Sequence, residues 1–220
     1  MVRLTVDLAA KCAKYTNPLK EREVDLRGNR IPEIENLGIL EDGFDSIDLS
    51  DNDIATLGNF PLMKRCKTLI IHTNRVQRMA GGLGTYLPNL ENLVLNSNRL
   101  RELEDLAPLA DLPSLQRLTL LDNLVSKHPD YRPYVIARLP ALKHLDFKKV
   151  KPVERERALK QFGRPVKSHA GAAAVASSSA PPGPRDMTDA ERKEIADLIA
   201  SAKSLDEIKK IEEERLPPVH

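Results

Sequence analysis

An α/β solenoid, a right-handed curved coil with a parallel β-sheet on its concave face, is the architecture to which this 220-residue sequence points. One spelling, two apolar residues one apart and an Asn three positions on, occurs five times. It reads Val24, Leu26, Asn29; Ile47, Leu49, Asn52; Leu69, Ile71, Asn74; Leu93, Leu95, Asn98; and Leu118, Leu120, Asn123. The five Asn residues stand 23, 22, 24 and 25 positions apart, so each interval holds one structural unit. The composition agrees, because 30% charged and only 4% aromatic residues suit a solvated coil with a core of Leu and Ile.

Such a period lies within the roughly 20 to 29 residues of leucine-rich repeats, and the fold expected is a leucine-rich-repeat solenoid. In each unit the alternating residues form a short strand that turns one set inward and displays the other on an open face. The Asn then closes a sharp turn. Its amide donates and accepts, so a ladder of Asn29, Asn52, Asn74, Asn98 and Asn123 is expected to satisfy backbone groups that no neighbouring strand reaches. No coil buries its apolar side alone, so stacking supplies the core and the ends need caps.

Residues 1–20 are read as the N-terminal cap, with Leu4, Leu8 and Cys12 on one helical stripe that Asn17-Pro18 breaks. Five repeats occupy 21–127. Their core sets are Val24, Leu26, Ile31, Ile34 and Leu37; Phe44, Ile47, Leu49, Ile54, Leu57 and Phe60; Leu69, Ile71, Val76, Met79 and Leu83. The fourth and fifth use Leu90, Leu93, Leu95, Leu100, Leu103 and Leu106, then Leu115, Leu118, Leu120 and Val125. Gly81-Gly82-Leu83-Gly84 lacks the Lys-Ser/Thr of a phosphate loop and is read as a turn insertion. Residues 128–167 form a C-terminal cap: a helix with Tyr131, Tyr134, Val135, Ile136 and Leu139, a last strand with Leu142, Leu145 and Phe147, and a basic helix. That basic run holds Lys148, Lys149, Lys151, Arg155, Arg157, Lys160, Arg164 and Lys167. The Ala, Ser, Pro and Gly of 168–187 predict a disordered linker, and two capping boxes, Thr188 with Glu191 and Ser204 with Glu207, predict a helical tail over 188–216.

A net charge of +2 names no partner by itself. Cys12 and Cys66 have no second Cys or His at ligand spacing and are read as small core residues. The apolar run of a signal peptide is missing, as is the roughly 18-residue apolar stretch of a membrane span, so an intracellular protein without a membrane is expected. Catalysis is not expected: no nucleophile with a base, no metal-ligand spacing and no cofactor motif appears. His72 and His144 lie three coils apart, and Asp25 and Asp48, expected about 5 Å apart on adjacent strands, read as a negative stripe facing a partner.

Function is therefore sought on the open strand face. Its rows are Glu23, Asp25, Arg27; Ser46, Asp48, Ser50; Thr68, Ile70, His72; Asn92, Val94, Asn96; Arg117, Thr119, Leu121; and His144, Asp146, Lys148. Ile70, Val94 and Leu121 are apolar where a solvated strand carries polar groups, giving an apolar centre with a charged rim. A partner helix laid across the concavity would fit it.

Several stretches outside the repeat spelling carry a more specific likeness: Tyr15-Thr16-Asn17 through Glu21 to Gly28, Ile31 to Gly38, and Phe44 to Asn52. Further matches are Phe60-Pro61-Leu62, Tyr131-Arg132 with Tyr134-Val135-Ile136, and Leu145-Asp146-Phe147 with Lys149-Val150-Lys151 and Glu154-Arg155. Over about residues 1–165 the chain resembles the U2 small nuclear ribonucleoprotein A-prime family of spliceosomal leucine-rich-repeat proteins. The resemblance implies a nuclear, non-catalytic role in pre-mRNA splicing. It implies a concave face that binds the RNA-recognition-motif protein B-double-prime, the pair holding a stem-loop of U2 small nuclear RNA. Glu23, Asp25, Arg27, Asp48, Ser50, Ile70, His72, Val94, Asn96, Thr119 and Leu121 would then face the partner, and Arg27, Lys149 and Lys151 would approach the RNA. Other spliceosomal proteins would meet the tail helices. Leu124 stands where such repeats often carry Pro after the Asn. The alternative reading is a leucine-rich-repeat regulatory subunit of a protein phosphatase.

Overall fold

The computed structural model describes residues 4–163, all within the first of two units, Met1–Ala173 and Ala174–His220. The expected linker at 168–187, the tail at 188–216, Arg164 and Lys167 lie outside the described residues.

The short strands are β1 (Ala13–Thr16), β2 (Arg22–Asp25), β3 (Ser46–Asp48), β4 (Thr56–Leu57), β5 (Thr68–Ile70), β6 (Arg78–Met79), β7 (Asn92–Val94), β8 (Arg117–Thr119), β9 (His144–Leu145) and β10 (Lys148–Lys149), of which β2, β3, β5, β7 and β8 fall on the repeat spelling. One sheet runs β1-β2-β3-β5-β7-β8-β9-β10, while β4 and β6 pair on the return side. Its interior is parallel, and each end closes with an antiparallel pair. The register places Val24, Ile47, Leu69, Leu93, Leu118 and Leu145 side by side, and all six are buried. They are the central row of one continuous core, which also takes every other residue of the expected core sets; of these only Leu103 is partly exposed. Met63, Cys66, Leu87, Leu109 and Leu112 join that core from the return segments.

The turn after each strand shows why the spelling needs its Asn. Asn98 Nδ2 donates to the carbonyls of Leu95 and Asn96 in its own coil and of Ile71 in the preceding one, while its Oδ1 accepts from Val76 N–H. Asn52, Asn74 and Asn123 bond in the same way. Each amide thus joins two coils at a corner where the ladder stops. Asn29 has no coil before it, and its side chain donates only to Arg27 O. The residue before each ladder Asn, Gly28, Asp51, Thr73, Ser97 or Asp122, has positive φ. That left-handed step suits Gly and Asp and costs most at the β-branched Thr73.

The N-terminal cap differs from the expected stripe. α1 (Val6–Lys11) is short, capped by Thr5 Oγ1; Leu4 precedes it and Cys12 ends it. The chain then forms β1 instead of continuing the helix. Asn17 Oδ1 accepts from Leu19 and Glu21 N–H, which reverses the chain and lays Ala13–Thr16 antiparallel on β2. An open sheet edge with unpaired backbone groups outweighs continuing the helix through Thr16.

The return segments are irregular: 3-10 turns at Leu37–Leu40, Glu104–Asp111 and Leu124–Lys127, and a single helical turn, α2 (Leu83–Tyr86). The glycine insertion serves this last packing. A Cβ on Gly84 would lie 1.7 Å from the Asp111 carbonyl oxygen, and Gly82 N–H donates to Asp111 Oδ2 at 2.8 Å. Because the obstacle is backbone, Gly84→Ala is expected to destabilise the unit by about 3 kcal/mol. A urea midpoint unchanged from the parent chain would refute that packing.

At the C-terminal edge, α3 (Tyr131–Arg138) covers the core and α4 (Pro152–Phe162) packs on it. The last strand is shorter than expected. Asp146 and Phe147 both have positive φ and form a two-residue turn into β10, so Phe147 points away from the core and is 76% exposed.

Candidate protein-binding face

Parallel register assembles the open-face residues into rows that cross the sheet. One runs Glu23, Ser46, Thr68, Asn92, Arg117, His144; the next runs Asp25, Asp48, Ile70, Val94, Thr119. These are the positions that alternation assigned, so the array is present. Its chemistry is less uniform than a negative stripe.

The acidic end is largely satisfied from within. The Glu23 carboxylate accepts from Tyr15 Oη at 2.7 Å and Asn17 Nδ2 at 2.9 Å, so β1 takes the charge expected to face a partner. That carboxylate pushes the Tyr15 hydroxyl pKa up to about 12. Arg27 Nη2 and Nε reach the Asp25 carboxylate at 2.6 and 2.9 Å, and Nε lies 3.6 Å from Asp48 Oδ2. Arg27 therefore spans both aspartates and holds Asp25 below the usual carboxylate range. Asp48, expected as an exposed position, is only 7% exposed, and its Oδ1 accepts from Ser50 N–H at 2.9 Å. Ser50 is fully buried. Short serines between longer side chains leave little open surface on this coil.

The centre of the face remains open and apolar. Ile70 and Val94 are direct cross-strand neighbours, both half-buried, and Leu121 is 38% exposed on the next coil. Three polar neighbours are paired: Asn96 Oδ1 accepts from Leu121 N–H, Asn92 Nδ2 donates to Thr68 Oγ1, and His72 Nδ1 meets Thr73 Oγ1 at 3.0 Å. Thr119 is buried. Its Oγ1, like the Oγ of Ser46 and of Ser50, has no hydrogen-bond partner among the described residues, so the face offers apolar area to burial beside hydroxyls free to bond.

The basic run separates into two groups. Lys148, Lys149, Lys151, Arg157 and Lys160 are exposed. Arg155 is drawn inward and donates to the carbonyls of Ile136, Leu139 and Leu142, capping the end of α3; burial lowers its pKa. Arg132 similarly pairs with Glu154 and donates to Leu145 O and Lys149 O. The sequence counted Arg155 in a solvated patch because a charge run does not reveal which cation will meet a helix C-terminus.

The groups that invited catalytic readings have other tasks. Arg27 stabilises the ionised form of Asp25, the opposite of what a general acid requires. The Cys66 thiol is buried, and burial raises its pKa to about 12, away from a nucleophile. Among the described residues no cluster of His, Cys, Asp and Glu could hold a metal ion, and no helix is long and apolar enough to cross a membrane.

Fold and face together define a leucine-rich-repeat protein with an apolar centre on its open strand face. Residues 1–176 match the leucine-rich repeat family. A U2 small nuclear ribonucleoprotein A' of Arabidopsis thaliana is 53% identical over 162 residues, covering 74% of this chain and 65% of the relative. The Homo sapiens protein of that name is 44% identical over 96% of this chain and 86% of its own length, and that of Neurospora crassa is 43% identical over 99% and 95%. A solved Drosophila melanogaster SNF/U2A' complex contains a chain that is 47% identical, with a TM-score of 0.71, covering 73% of this chain and 92% of that one. The chain belongs to the U2 small nuclear ribonucleoprotein A' family of spliceosomal leucine-rich-repeat proteins.

Proposed function

We propose that this chain is a non-catalytic scaffold of the U2 particle in the nucleus. Its concave face binds the RNA-recognition-motif protein B-double-prime, and the pair holds a stem-loop of U2 small nuclear RNA. The observation that carries the reading is the apolar centre, Ile70 beside Val94 with Leu121 on the next coil, because a patch of apolar side chains on an otherwise polar face has no role in the coil's own core. The related Drosophila chain, solved as a complex with SNF, supports it. Most of the site then comes from the face, with Glu23, Asp48 and Ser50 shaping its floor and Arg27 at the rim.

Affinity capture from nuclear extract tests the assignment. The protein partner should survive ribonuclease treatment, while U2 RNA should be recovered only without it. Capture of a phosphatase in place of that RNA would favour the regulatory-subunit alternative. On the RNA side, Lys149→Glu with Lys151→Glu should weaken the ternary complex and reduce its salt slope by about 1 to 2, one for each phosphate no longer neutralised. Both lysines are exposed, so circular dichroism should be unchanged. An unaltered slope would remove these lysines from the RNA interface.

A further inference from the structure

Phe147 is the most exposed large apolar side chain among the described residues, at 76%, and its backbone is left-handed, φ +63°. Each condition is unfavourable for phenylalanine, and a two-residue turn of this kind prefers Asn or Gly. Nothing in the core is served by the ring. The turn is nevertheless firmly held. Asp146 Oδ1 accepts from Leu120 N–H at 2.8 Å, Asp146 Oδ2 accepts from the Tyr131 hydroxyl at 2.9 Å, and Arg132 donates to the carbonyls on either side, Leu145 and Lys149. Hydrogen bonds on both sides of the turn over-determine it, which is how strained backbone persists at functional positions.

The sequence next to the ring is cationic. Lys148 and Lys149 follow it directly, both exposed, and neither forms an ion pair among the described residues. The nearby acids are engaged, Asp146 by the turn and Glu154 by Arg132. Lysine is depleted at the centres of protein interfaces. An exposed aromatic on a lysine-bearing surface is instead how single-stranded nucleic acid is held, with phosphates on the cations and a base on the ring. We propose that Phe147 is a stacking platform for an unpaired RNA base, with Lys148 and Lys149 neutralising the adjoining phosphates. This rests on the reading that the chain lies against RNA in the U2 particle.

The test uses the full chain with B-double-prime and the U2 stem-loop. Phe147→Gly relieves the left-handed backbone, so thermal stability should hold or rise while RNA affinity falls about 10-fold. The salt slope should stay as in the parent, because no charge is removed. Phe147→Trp should retain parent affinity. In a second arm the full chain alone is irradiated with a single-stranded 5-iodouridine oligoribonucleotide, and the cross-link should map to Phe147. Parent RNA affinity for Phe147→Gly together with no cross-link overturns the proposal. So does loss of B-double-prime binding by Phe147→Gly without RNA, which would make the ring a protein contact. A cross-link at Phe147 with no U2 RNA retained by the complex would sink the proposed function and leave the stacking site standing. Retained U2 RNA that is indifferent to Phe147 would do the reverse.

Discussion

Asn98→Ala should destabilise the solenoid by about 4 kcal/mol, because it strips partners from several buried backbone groups at once. The amide side chain serves the carbonyls of Ile71, Leu95 and Asn96 and the Val76 N–H. Alanine offers none of these bonds at a buried position. Asn29→Ala is the internal control. The same spelling occurs there, but its side chain donates to a single carbonyl, so about 1 kcal/mol is expected. Urea unfolding of both variants by circular dichroism checks the difference. Equal losses would mean that the Asn acts through local turn propensity and not by joining coils.

Val94→Lys should weaken binding of B-double-prime about 100-fold while leaving the coil folded. Val94 lies at the centre of the apolar patch, between Ile70 and Thr119 in register, and is half-buried, so a long side chain can leave toward solvent in the free protein. In the complex it would place a charge where burial drives association. Asp48→Lys is a poorer test. Asp48 is buried, accepts from Ser50 N–H and lies beside Arg27, so reversing its charge damages the fold as well as the face. Isothermal titration with Val94→Lys, alongside its thermal melt, separates the two effects. Parent affinity would remove the centre of the face from the interface.

The repeats were legible because their determinants are local. Alternation, the left-handed step and the Asn all fall within one coil, and each coil repeats them. The ends were not, because they are shaped by what the last coil leaves exposed. Ala13–Thr16 became a strand to cover an unpaired edge, and Phe147 left the core because the strand ends at Leu145, two residues earlier than its apolar pattern implies. Alternation gave the rows of the strand face, but not that Ser46, Asp48, Ser50 and Thr119 are buried within them. The electrostatics of those rows were not legible either, since the pairing of Glu23 with Tyr15 and Asn17, and of Arg27 across two aspartates, depends on side-chain reach between elements. Arg155 failed similarly: only the packing of α4 on α3 reveals a half-buried cation donating to three carbonyls.

A photo-activatable cross-linking residue placed at Leu121, on the open face, or at Leu62, exposed on the return side, tests most directly where the partner sits. The partner should be captured from position 121 and not from position 62. Capture from position 62 alone would contradict the concave-face account.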